Sequence, residues 1–166
     1  MTKHGNTKGF TLIELILYVA LMGIVLYTAS LLYTLFLAED ARDYARAEVE
    51  QSSQHALLYM TQTIRNAPSV TTPAAGSNAA ALQLTVDDEL KSPTVFSLSQ
   101  GSIVVAEGGS PAVALLPSSV VVDSLEFENR GSEGSLYIEF SAHYRNDSER
   151  PEFDYEQTFY ASATIR

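Results

Sequence analysis

From Leu15 to Ala38 the chain runs for 24 residues without a charge. As a helix this stretch would rise roughly 36 Å, enough to cross a hydrocarbon core of about 30 Å. Beyond it the pattern turns periodic. Residues 39–66 contain neither proline nor glycine, and opposite charges recur at helical spacing: Glu39 with Arg42, Asp43 with Arg46, Arg46 with Glu50. Such pairs contribute about 0.2–0.5 kcal/mol each on an exposed helix. Leu57, Met60 or Thr61, and Ile64 fall on one face with Leu58 beside them, a stripe expected to pack on a sheet. Pro68 disfavours helical geometry in the residue before it, so the helix is expected to end at Asn66-Ala67-Pro68. One helix should therefore run from about Phe10 to Asn66, roughly 85 Å long, apolar all round in its first half and amphipathic in its second. Gly23 lies inside the apolar half, as a site of close helix packing or a local weak point.

After the helix the period becomes two. Residues 67–81 read as a loop by composition, and apolar alternation follows: Leu82, Leu84, Val86; Val95-Phe96 and Leu98; Ile103-Val104-Val105. Val120 and Val122 alternate, then the phase slips and resumes at Leu125 and Phe127, which predicts a bulge. Leu136, Ile138, Phe140, Ala142 and Tyr144 form the cleanest strand, and Tyr155, Phe159, Ala161, Ala163 and Ile165 the last. Short strands with hairpin-length connections predict one antiparallel sheet with a single apolar face. The fold class is α+β, a long helix followed by a sheet in two layers.

Composition narrows this picture without changing it. The 166 residues, less the membrane span, leave enough for a single soluble domain, and 46% hydrophobic residues supply its core. There is no cysteine, so neither a disulfide framework nor a thiolate metal site is available. The formal charge is −10, and it is unevenly placed: residues 1–9 hold two lysines and no acid, whereas the remainder beyond residue 38 is strongly acidic. Direct binding to nucleic acid is not expected, since affinity for a phosphate backbone comes largely from Lys and Arg.

The head of the helix carries the sharpest signal. Residues 8–15 read KGFTLIEL, placing one glutamate, Glu14, at the edge of the apolar run. A cleavable secretory signal would have an apolar region of about 7–15 residues and a small-residue cleavage site, and the LAEDARDY that follows the run is no such site. A plain signal anchor fits the length, with Lys3 and Lys8 retained on the cytoplasmic side, but leaves Glu14 without a purpose. An ionisable residue at membrane depth is costly and points to function.

This segment resembles the processing motif of the type IV pilin and pseudopilin family. The resemblance implies a leader of residues 1–9, cut between Gly9 and Phe10 by a membrane-bound prepilin peptidase, with Lys8 and Gly9 closing the leader. It further implies N-methylation of Phe10, the mature first residue, and a role for Glu14 in assembly. Glu14 would pair with the amino group of Phe10 on a neighbouring subunit, offsetting the desolvation of both charges and setting axial register. The implied organisation is leader 1–9, transmembrane and assembly helix 10–38, and a pilin-like soluble domain 39–166, comprising an amphipathic helix 39–66 and a sheet 82–166. Met60 to Ala67 resembles the corresponding region of J-type minor pseudopilins of type II secretion and of minor pilins in competence systems.

The soluble part offers little chemistry. Asp87-Asp88-Glu89 could contribute oxygens to a hard cation, but a solvated turn before Lys91 and Pro93 accounts for it more simply. The run from Glu149 to Glu156 reads as an exposed loop or a contact patch. His4, His55 and His143 are far apart in sequence, with His143 expected on the outer face of its strand. Tyr18, Tyr27 and Tyr33 fall in the span as packing residues. No phosphate loop, dinucleotide fingerprint or nucleophile motif is present, and neither enzyme activity, a cofactor nor a metal is expected.

The expected function is therefore that of a bacterial structural subunit, a minor pilin or pseudopilin. It would be held in the inner membrane by a single pass with its N-terminus cytoplasmic, and enter an extracytoplasmic filament. Its expected partners are the prepilin peptidase, other pilin or pseudopilin subunits, the inner-membrane assembly platform and membrane lipid. The alternative is a membrane-anchored binding or adhesion module that never polymerises, and which keeps residues 1–9.

Overall fold

The computed structural model describes residues 11–131, 134–147 and 150–165. Uninterrupted by proline, helix α1 extends from Leu12 to Arg65, 54 residues, and closes with Ala67 N–H donating to the Ile64 carbonyl at 3.1 Å. The chain divides into two units, one up to Asp40 and one from Ala41 onward. The first contains the apolar half of α1, where Leu12 to Leu37 are exposed on every face. Apolar residues on all sides fit a lipid or helix-packed surrounding rather than water.

In the second unit α1 acquires one buried face. Ala45, Val49, Ser53, Ala56, Met60 and Ile64 are buried at spacings of three and four, which keeps them on one side of a 3.6-residue helix. This stripe is longer than the one expected from sequence and differently placed. Leu58, expected beside Met60, is 57% exposed, and Leu57 is only partly buried.

Among the described residues nine strands follow: β1 (Ser69–Thr72), β2 (Ser77–Ala79), β3 (Ala81–Thr85), β4 (Thr94–Ser99), β5 (Ser102–Glu107), β6 (Val113–Ala114), β7 (Val120–Asn129), β8 (Ser135–Tyr144) and β9 (Glu156–Thr164). They form two antiparallel sheets, in the orders β1-β3-β4-β5-β6 and β2-β7-β8-β9, where a single sheet was expected. Segment 67–81, expected as a loop, supplies the edge strands β1 and β2. Both are short and flanked by Pro68, Pro73 and Gly76, chemistry that edges tolerate because their outer N–H groups need no ladder partner.

The alternating residues from the sequence line the core. Leu82, Leu84, Phe96, Ile103, Phe127, Leu136, Ile138 and Phe140 are fully buried and form one cluster with Val49, Met60 and Ile64. The expected bulge is present: the β7–β8 register shifts between Val122 and Ser124, leaving Asp123 as the extra residue. The β4–β5 hairpin turns through Gln100 (φ 50°) and Gly101 (φ 74°). Two consecutive positive φ values define the tight turn whose twist matches the strands, and the Gly101 carbonyl then accepts from Val122 N–H at 2.8 Å. The α+β, pilin-like layout of one long helix and antiparallel sheets is thus observed.

Candidate functional site

Helix α1 begins with its own cap. Thr11 Oγ1 accepts a hydrogen bond from Glu14 N–H at 3.3 Å, and the Thr11 carbonyl accepts from Leu15 N–H at 3.1 Å. Thr11-Leu12-Ile13-Glu14 matches the S/T-x-x-E capping box, a start signal that is present in the sequence itself. Glu14 is an exposed residue in the first helical turn. A carboxylate there also interacts favourably with the positive end of the helix dipole. Lys8, Gly9 and Phe10, the expected leader end and methylated residue, lie outside the described residues.

Leu12 to Arg65 includes a window long and apolar enough to cross a membrane, and none of that window is buried. Tyr18, Tyr27 and Tyr33 are all more than half exposed. A side chain at Gly23 would meet nothing within 4 Å, so the glycine leaves a smooth patch on that helix. Thr28 and Thr34 return their hydroxyls to the carbonyls of Val25 and Leu31 at 2.9 and 2.8 Å, removing those donors from an apolar surface.

A second set of contacts holds the C-terminal half of α1 to the sheets; it includes the Arg46–Glu50 pair expected from helical spacing, while its bonds from the helix to residues beyond it follow no spacing rule. Glu50 accepts from Arg46 Nε at 2.8 Å and from the Tyr155 hydroxyl at 2.8 Å. The Arg46 hydrogen bond, and then that from Tyr155, hold the Glu50 carboxyl below its ordinary range. Burial, reinforced by Glu50, pushes the Tyr155 phenol up. Ser119 donates to Glu48 at 3.0 Å. Nearer the end of the helix, the Tyr59 hydroxyl donates to Glu107 at 2.9 Å, and Lys91 lies 3.6 Å from the same carboxylate. Burial, and then Glu107, raise the Tyr59 pKa. Tyr44 packs edge-on against Tyr144, whose ring in turn stacks on Phe153. The aromatics of the 149–156 run therefore fold onto the domain instead of standing in an exposed loop.

The remaining candidates resolve into turns and surface pairs. Asp88 Oδ1 accepts from Leu90 N–H at 3.0 Å and the Asp88 carbonyl from Lys91 N–H at 3.0 Å, so Asp87-Asp88-Glu89 builds a side-chain-closed turn. It borders a cleft of about 370 Å³ with Tyr59, Lys91 and Glu107. His55 is exposed. His143 sits 2.7 Å from Asp123, the residue the bulge turns outward. Among the described residues no group of three or more His, Asp or Glu is placed to hold a metal.

A comparison with family models matches residues 5–26 to the prokaryotic N-terminal methylation motif. No curated protein and no solved structure matches the chain. The match spans the expected cleavage point and the first turns of α1, leaving the sheets outside it. That motif implies processing by prepilin peptidase and association with other pilins, and together with the apolar helix it fits anchoring in the inner membrane. The chain thus carries the N-terminal methylation motif of type IV pilin-like, processed subunits, joined to a pilin-like layout of one long helix on antiparallel sheets.

Proposed function

We propose that the chain is a minor pilin or pseudopilin of a type IV pilus or type II secretion-like filament, processed after Gly9 and assembled through α1. The observation that carries this is the methylation motif at residues 5–26, heading an apolar helix that none of the rest of its own unit buries. Cleavage leaves Phe10 one residue before the Thr11 cap, so the new amino group is positive beside the positive end of the helix dipole. Glu14 of a neighbouring subunit neutralises it, and the same pairing sets the stagger between subunits. Before assembly the helix lies in inner-membrane lipid with its N-terminus cytoplasmic, and the assembly platform extracts it into an extracytoplasmic filament. The lack of cysteine and the β-rich domain that follows α1 favour a minor subunit.

Intact-mass measurement of protein extracted from bacterial membranes tests this. The expected chain has lost residues 1–9 and gained one methyl group at Phe10. A chain that keeps residues 1–9 would make it an anchored module that does not polymerise.

A further inference from the structure

Strand β9 closes the second sheet with a nine-residue edge. Its register with β8 runs unbroken from Ser135 opposite Thr164 to His143 opposite Glu156. In an antiparallel ladder, pairs that exchange hydrogen bonds alternate with pairs that do not. The ladder is framed by Tyr144 N–H donating to the Tyr155 carbonyl at 3.0 Å and Ile165 N–H donating to the Gly134 carbonyl at 3.3 Å. Stepping inward by twos from these, Gln157, Phe159, Ala161 and Ala163 are the residues bonded to β8. Thr158, Tyr160 and Ser162 therefore turn their N–H and C=O groups to the open side. Among the described residues, no backbone group from elsewhere in the chain hydrogen-bonds to them.

The other sheet edges are blunted. β1, β2 and β6 have four, three and two residues, and the β1 register is irregular. Short and irregular edges resist strand addition, as do proline, lysine and bulges, and β9 contains none of these three.

The outer face beside this edge has a matching chemistry. Glu126 stands directly opposite Glu139, and Glu139 opposite Tyr160. Like charges in directly opposed positions destabilise a sheet. Tyr160 is 56% exposed and stacks on Tyr137 with ring centroids 6.1 Å apart. What a cation does here is already visible within the chain: Arg130 lies over the Tyr137 ring at 4.8 Å and pairs with Glu128 at 3.1 Å.

We propose that β9 is an acceptor edge for an extended strand of a partner protein carrying Lys or Arg at its outward positions. The added strand takes the N–H and C=O groups of Thr158, Tyr160 and Ser162, giving affinity through the main chain. A basic side chain opposite Tyr160 crosses that ring towards Glu139 on the next strand, with Glu126 one strand further adding to the negative field, giving specificity by charge. The edge and its charge are independent of how the N-terminus is processed.

Hydrogen exchange on the full-length protein in detergent tests this, using as probes a short peptide repeating Lys-Val-Thr-Val and its counterpart with Glu in place of Lys. The lysine peptide should slow exchange at Thr158, Tyr160 and Ser162, and bind roughly tenfold more tightly than the glutamate peptide. Ser162→Pro removes one outward donor, leaves the β8 ladder intact and should abolish the protection. Glu139→Lys keeps the edge but should reverse the preference between the peptides, a readout that stands should the proline variant fail to fold. The proposal is overturned by unprotected amides at all three positions with the lysine peptide, or by equal binding of both peptides. It is equally overturned if the protein alone protects these amides as its concentration rises, which assigns the edge to a second copy of the chain.

Discussion

The Tyr155 hydroxyl donates to Glu50 Oε1 at 2.8 Å across a sequence separation of 105 residues, tying the residue before the last strand to the long helix. Arg46, one turn earlier on α1, donates to the same oxygen and lies near the Tyr155 ring, 6.0 Å from its centroid.

This contact makes stability depend on pH in a defined direction. The Glu50 carboxyl is held below its ordinary range, by Arg46 first and Tyr155 second. A depressed carboxyl contributes stability above its unfolded pKa, about 4.3, and that contribution is lost as pH falls through the folded value. Glu50→Gln should therefore flatten the acid limb of a plot of urea midpoint against pH. Tyr155→Phe should remove the hydrogen bond at neutral pH, costing about 1 kcal/mol. Denaturant melts from pH 3 to 7 check both, and an acid limb identical in Glu50→Gln and wild type would show that the contact carries no pH dependence.

Met60 and Leu58 separate the observed helix face from the expected one. Met60 is fully buried and Leu58 is 57% exposed. Met60→Ala should cost about 2–5 kcal/mol, whereas Leu58→Ala should change stability by no more than about 0.5 kcal/mol. Equal losses in thermal denaturation would mean that α1 presents a different face to the sheets.

Neighbouring glycines give a matched pair. A Cβ at Gly108 would lie 1.8 Å from the Leu90 carbonyl oxygen, while one at Gly109 would meet nothing within 4 Å. Both residues have positive φ, 56° and 79°. Gly109→Ala should cost only the left-handed backbone strain, about 1–2 kcal/mol. Gly108→Ala must also displace the turn that brings Lys91 to Glu107 and should cost at least about 2 kcal/mol more. Comparable melting temperatures for the two variants would contradict the close approach of this turn to β5.

Glu14 is tested by what survives its loss. A carboxylate in the bilayer costs something like 2–3 kcal/mol on insertion scales, so Glu14→Val should insert at least as well as wild type. Cleavage between Gly9 and Phe10 should persist, while crosslinks between α1 helices of adjacent subunits and incorporation into filaments should be lost. Unchanged crosslinks in intact cells would leave Glu14 as a helix-start residue, serving only the Thr11 cap.

The amino-acid sequence by itself determined the elements whose physics is local. The uncharged run through Leu37, the proline-free stretch to Asn66 and the capping residues Thr11 and Glu14 set helix α1 without reference to the rest of the chain. Strict alternation at Leu136, Ile138 and Phe140, and the phase slip at Asp123, set β7, β8 and the bulge between opposed residues, because pleating forces successive side chains to opposite faces. Tertiary structure decided the rest. Leu57, Leu58 and Met60 are interchangeable in hydrophobicity, and only the position of the sheets buries Met60 and leaves Leu58 in solvent. Segment 67–81 has loop composition, and it becomes strand because the β3 and β7 edges offer backbone partners to Val70 and Asn78. The Glu50–Tyr155 and Tyr59–Glu107 contacts join residues far apart in sequence, so no spacing rule foretells them. The open edge of β9 likewise follows from strand order, which fixes which strand is left without a neighbour.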